Sequence, residues 1–127
     1  MSKSGRRKGQ DFEQEVARAI RARLGVDAHR GAQTRKGTDA PDVVGMPEPW
    51  WAECKYGDRA TIGFILEDGW TQANRPHTKP VVFFRRQRQP LRAVVLAEDL
   101  LELLADNARL RAELERALPF RSPGAQA

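Results

Sequence analysis

The 127-residue chain has a single cysteine, Cys54, which excludes a disulfide framework and any Cys-based zinc cluster. Its two histidines, His29 and His77, lie far apart and argue against a His-rich metal site, so both read as bystanders. No run of ~18 apolar residues occurs, which excludes a transmembrane helix. The opening MSKSGRRKGQDF carries charge but lacks the apolar segment of a secretory signal. A reduced, cytoplasmic protein with no membrane partner is expected. The length fits one domain, large enough to hide roughly two-thirds of the surface its unfolded chain exposes.

The charge that is present is unevenly placed. Residues 1–36 hold ten Lys and Arg against four Asp and Glu. Residues 37–78 hold three against seven, and residues 79–127 hold nine against six. Basic flanks suit a polyanion such as nucleic acid. Acids clustered between them would repel phosphate unless they hold a divalent cation. A generic basic surface with incidental acids is the plainer alternative.

Patterning along the chain predicts one mixed sheet with helices packed on it, an α/β or α+β domain. Residues 1–10 read as a flexible basic arm. Phe12, Val16, Ile20 and Leu24 recur every fourth residue and predict a helix over 11–24, closed by Gly25. Short strands are expected at 26–30 and 41–44, with a polar loop at 31–40 between them. The aromatic-rich segment WWAECKY, 50–56, predicts a strand. Residues 61–74 predict a helix with Ile62, Ile65, Leu66, Gly69 and Ala73 on one face. A hairpin follows at 81–86 and 92–96, then a long helix over 98–118, and a disordered tail over 119–127. The order is α-β-β-β-α-β-β-α with about five strands, and residues 11–118 form the expected domain.

Strand side chains alternate faces. Trp50, Ala52, Cys54 and Tyr56 share one side of the 50–56 strand, and Trp51, Glu53 and Lys55 share the other. A carboxylate and an ammonium on one face of an otherwise apolar strand need a reason, because unpaired buried charge is costly. A salt bridge at an exposed sheet edge would be one. A cation site would be another, because Asp42 opens the preceding strand, and consecutive strands joined by a short turn are usually neighbours. Two carboxylates and a backbone carbonyl suffice for Mg²⁺, which keeps several of its waters. The first helix offers a third acid. Stepping about 100° per residue from Phe12 places Glu13 inside the apolar arc and Glu15 about 60° outside it. Glu13 is therefore the candidate, and Glu15 the solvated residue.

Pro41-Asp42 followed by Glu53-Cys54-Lys55 resembles the PD-(D/E)xK nuclease superfamily, whose core is restriction-endonuclease-like. Lys8-Gly9-Gln10-Asp11-Phe12-Glu13 is similar to the helix opening of archaeal-type and phage Holliday junction resolvases, and the segment 35–44 is similar to their approach to the aspartate strand. The resemblance spans residues 5–96. It implies a Mg²⁺-dependent endonuclease, with Mn²⁺ as substitute, in the cytoplasm of a bacterial or phage-infected cell. Its expected action is cutting four-way or other branched DNA by hydrolysis to 5′-phosphate and 3′-hydroxyl ends. It assigns Asp42, Glu53 and the main-chain carbonyl of Cys54 to the metal, with Glu13 completing the acidic set. Lys55 would orient or deprotonate the attacking water. Cys54 then needs no thiol chemistry, and its side chain serves as a small core hydrophobe.

Gln72 is a supporting polar residue by the same resemblance, or an exposed helical glutamine. Arg30, Arg35, Lys36 and Thr38 flank the site and would hold phosphates, and Lys3, Arg6, Arg7 and Lys8 would track the DNA backbone. Trp50, Trp51 and Trp70 read as core or interface. In the last helix Leu96, Leu100, Leu103, Asn107, Leu110, Leu114 and Ala117 alternate spacings of four and three, an a/d seam with Asn107 at an a position. Such a helix either builds a homodimer, as symmetric cutting of two strands requires, or packs on its own sheet. A repair or restriction-like nuclease on the same fold and a non-catalytic DNA-binding protein are the competing functions. The intact acids argue against the last.

Overall fold

A computed structural model describes residues 3–31, 40–58 and 61–118. The chain divides into two compact units, Met1–Leu96 and Ala97–Ala127. The last helix, expected within the domain, thus stands as a unit of its own.

In the first unit α1 spans Lys3–Leu24, β1 His29–Arg30, β2 Val43–Val44 and β3 Trp50–Tyr56. The helical stretch that follows is α2 at Ile62–Phe64, a π-helical turn at Ile65–Gly69 and α3 at Trp70–Ala73. β4 is Lys79–Arg85 and β5 is Arg92–Val95. The five strands form one mixed sheet in the order β1-β2-β3-β4-β5. β3 and β4 are parallel, and every other neighbouring pair is antiparallel. A parallel pair needs a crossover, and the 62–73 stretch supplies it.

β4 is paired on both sides, which explains its near-continuous apolar run PVVFF. Val81 faces a core built with Phe12, Val16, Ile20, Val43 and Ala52. Val82 and Phe84 face a second core with Ile65 and Ala73, backed by Trp51 and Trp70. α1 therefore covers one face of the sheet and the 62–73 stretch the other. Each fully buried aliphatic, such as Val16 or Val82, contributes on the order of 1.5–3 kcal/mol.

Several expectations are corrected. The basic arm is helical from Lys3, continuous with α1. Lys, Arg and Gln are good helix formers, no proline intervenes, and extending a formed helix is cheap. Leu24 ends the apolar stripe beyond the sheet and is exposed. Ile62 and Leu66 are also exposed, because the π-helical turn shifts the face that meets the sheet to Ile65, Gly69 and Ala73. β1 and β2 are only two residues each, shorter than expected. Most of the 31–40 loop, with Arg35, Lys36 and Thr38, and the 119–127 tail lie outside the described residues. Among the described residues no helix is long and apolar enough to cross a membrane.

The second unit contains α4, Ala97–Ala117. Its seam leucines Leu100, Leu103, Leu110 and Leu114 are 46–62% exposed.

Candidate active site

β2 pairs with β3 through Val43 and Ala52, and the ladder stops there. Beyond it, the Cys54 N–H has no β2 carbonyl to meet. The Asp42 carboxylate takes that place, accepting from the Cys54 amide through Oδ2 at 2.9 Å. The N–H and C=O of one strand residue point to the same side, so the Cys54 carbonyl shares the Asp42 side of β3. The Asp42 main chain is fixed in turn, since the Gly31 amide donates to its carbonyl at 2.8 Å. A Cβ on Gly31 would stand 2.1 Å from the Pro41 carbonyl oxygen, so only glycine allows this approach.

Glu53 is 4% exposed, the more deeply buried partner of a carboxylate pair. The Trp51 indole donates to its Oε1 at 2.8 Å, and Asp42 lies within hydrogen-bonding reach. Burial first, then contact with Asp42, pushes the Glu53 carboxyl up to about 8. Two touching carboxylates hold a proton between them unless a cation replaces it. Glu13 joins this line from α1. It is half-buried, receives the Arg30 Nε–H at 2.8 Å, and feels the Asp42 charge. Its carboxyl is raised, chiefly by burial and against the pull of Arg30. Asp42 thus acts on both Glu53 and Glu13. Burial and the same three acids push the Cys54 thiol far up, so it stays protonated and packs against the α1-side core.

Lys55 points to the same face as Glu53 and pulls its carboxyl downward, against burial. Its ammonium forms an ion pair with Asp68 and lies 5.4 Å from the centre of the Phe64 ring. Asp68 sits in the π-helical turn, and Gln72 one turn on donates to its other oxygen at 3.5 Å. The turn rides close on the sheet at Gly69, where a Cβ would lie 3.0 Å from Val82 Cγ1 and 3.3 Å from Lys55 Cγ. Sequence reasoning does not single out Asp68. A signal is there: Glu67 and Asp68 are the only charged residues between Thr61 and Asn74.

Glu15, read as solvated, instead pairs with Arg85 at 2.6 Å, and that guanidinium lies over Phe12 and Tyr56. Gln14, Ala17, Arg18 and Arg21 form a stripe along α1 that faces His29 and Arg30 of β1 across an open cleft of about 330 Å³. Its lining carries three arginines and no acid, and Arg21 is steered by a 2.6 Å bond to the Ala28 carbonyl. Sequence reasoning finds only Arg30 of this set. Arg6, Arg7 and Lys8 are exposed near the start of α1, whose first turn holds no acid. Basic groups oppose the helix dipole there, which offsets part of their favourable helix propensity.

Among the described residues no three His, Cys, Asp or Glu side chains are gathered into a ready cation site. The pair that touches, Asp42 and Glu53, offers hard oxygen donors beside the Cys54 carbonyl, a set that suits Mg²⁺ or Mn²⁺. Glu13 is held by Arg30 next to that pair. No protein-family model, no curated protein and no solved structure matches this chain.

Proposed function

We propose that the protein is a metal-dependent DNA endonuclease of PD-(D/E)xK type with a restriction-endonuclease-like core, acting on branched DNA as a Holliday junction resolvase does. The observation that carries this reading is the Asp42–Glu53 carboxylate pair, with Glu53 buried, Asp42 partly so, and Lys55 on the same strand face. Two acids held together with one of them buried cost stability, and cation binding is the use that offsets it.

Asp42, Glu53 and the Cys54 carbonyl would hold the metal. Bound there, Mg²⁺ supplies Lewis-acid polarisation of a phosphoryl oxygen and acidifies water. Glu13 completes the acidic line and is oriented by Arg30. Lys55 is held by Asp68, which Gln72 supports in turn, and this favours steadying negative charge on the reacting phosphate over proton abstraction. Trp51 orients Glu53. The Arg18, Arg21 and Arg30 cleft and the basic start of α1 would contact DNA phosphates. Paired cuts across a junction call for two copies of the chain.

The test compares a synthetic four-way junction, linear duplex and single-stranded DNA, with Mg²⁺, Mn²⁺ or EDTA. Symmetric, metal-dependent nicks on the junction are expected. Equal cutting of linear duplex would point to a repair or restriction-like nuclease, and binding without cutting to a DNA-binding protein.

A further inference from the structure

Among the described residues α4 leaves its apolar side exposed, and its own charges say what covers it. Leu100, Leu103, Asn107, Leu110 and Leu114 follow the a-d-a-d-a spacing of a coiled coil, and the four leucines are about half exposed. On that register Asp106 and Glu113 occupy g positions and Arg111 an e position. Within the single helix Asp106 and Glu113 meet only Arg109, at 3.3 and 3.4 Å, and Arg111 reaches Asn107 at 3.4 Å. These are long, exposed contacts.

We propose that α4 pairs with α4 of a second copy as a parallel, two-stranded coiled coil. In a parallel pair each g residue faces the e residue five positions later on the other helix. Asp106 then meets Arg111 of the second copy, and the pairing repeats by symmetry on the other side. In an antiparallel pair g faces g, which sets Asp106 against Glu113 and leaves Arg111 without an acid across the seam. Asn107 at an a position meets its own counterpart only in the parallel register, and a polar a layer favours two strands over three. Leu104, exposed at an e position, widens the apolar seam. The partner is self-complementary, so a second copy fits better than an unrelated helix.

Light scattering on the full-length protein, without DNA or metal, should give twice the 14.3 kDa chain mass, falling toward one chain on dilution. Orientation is read with Leu114→Cys. A parallel pair cross-links this variant to itself under mild oxidation, with the wild-type chain and its Cys54 as control. An antiparallel pair in that register layers a against d, which sets 114 opposite 103 and separates the two 114 positions by about 16 Å. It would cross-link only a mixture of Leu103→Cys and Leu114→Cys. Arg111→Glu should weaken the dimer at least several-fold, and adding Asp106→Arg in the same chain should restore it. A single-chain mass at every concentration, or cross-linking of the mixture alone, would overturn the proposal. Because neither DNA nor metal enters the measurement, its failure bears on how two copies meet and leaves metal-dependent cleavage untouched.

Discussion

Asp42 accepts the Cys54 amide hydrogen at 2.9 Å, so a side chain finishes the ladder that the two-residue β2 leaves short. The proposed function would give this carboxylate a chemical task beside that structural one, and substitutions separate them. Asp42→Asn keeps an oxygen able to accept from Cys54 and removes the charge. It should preserve the fold and DNA binding while cleavage falls by roughly 100-fold or more. Asp42→Ala should also leave the amide unpaired and cost about 1–3 kcal/mol in denaturant unfolding. Wild-type cleavage by Asp42→Asn would remove Asp42 from the site.

The Glu53 carboxyl titrates near 8 in the fold and near 4.5 when free, so the folded state holds the extra proton between those values. Stability rises with pH only where the unfolded chain binds more protons. Here the folded chain binds more. In metal-free buffer this group's contribution is full below about pH 4.5 and is lost as pH climbs through 8. A divalent cation competes with that proton, so Mg²⁺ should raise the melting temperature more at pH 8 than at pH 6. Melting curves across that range, with Mg²⁺ or EDTA, check both slopes. An equal Mg²⁺ shift at the two pH values would count against cation binding by this pair.

Periodicity makes much of this unit legible. Phe12, Val16 and Ile20 announce the buried side of α1, and alternation in WWAECKY puts Glu53 and Lys55 on one face. The angular position of Glu13 separates it from Glu15 without coordinates. Less legible are features created by packing. The π-helical turn is an irregularity that a fixed 100° step does not represent, so periodicity puts Ile62 and Leu66 on the wrong side and passes over Asp68. Arg85 reaches Glu15 across 70 positions, a pairing that no local pattern encodes. The Arg18–Arg21 stripe has the pattern of an ordinary solvated helix face, and only the strand β1 laid opposite turns it into a cleft.

Asp68 pairs with Lys55, and in the proposed site it would act through that ammonium, as a positioning residue. Asp68→Asn keeps the size and the Gln72 neighbour but releases the ammonium. Displacing a reactive group by about 1 Å can cost 100-fold in rate. Single-turnover cleavage should therefore slow by about 10- to 100-fold with DNA affinity unchanged. Loss of affinity in step with rate would show that Asp68 acts by holding up the fold instead. Asp68→Glu, which restores the charge, should recover part of the rate.

The arginine cleft makes a prediction about salt. On duplex DNA the slope of log affinity against log salt steepens by about 0.9 for each phosphate that the protein neutralises. Arg18 lines the cleft and is exposed, so Arg18→Ala should flatten that slope by about 0.9 and leave the melting temperature unchanged. Arg30 has a second task, because its Nε–H holds the half-buried Glu13 at 2.8 Å. Arg30→Ala should flatten the slope as Arg18→Ala does and also destabilise the fold near neutral pH, since Glu13 would lose the partner that opposes its burial. Fluorescence anisotropy on labelled duplex in EDTA at several salt concentrations, beside thermal melts, distinguishes the two residues. Equal slopes for wild type and both variants would mean that phosphates are held elsewhere, with Arg6, Arg7 and Lys8 the next set to change.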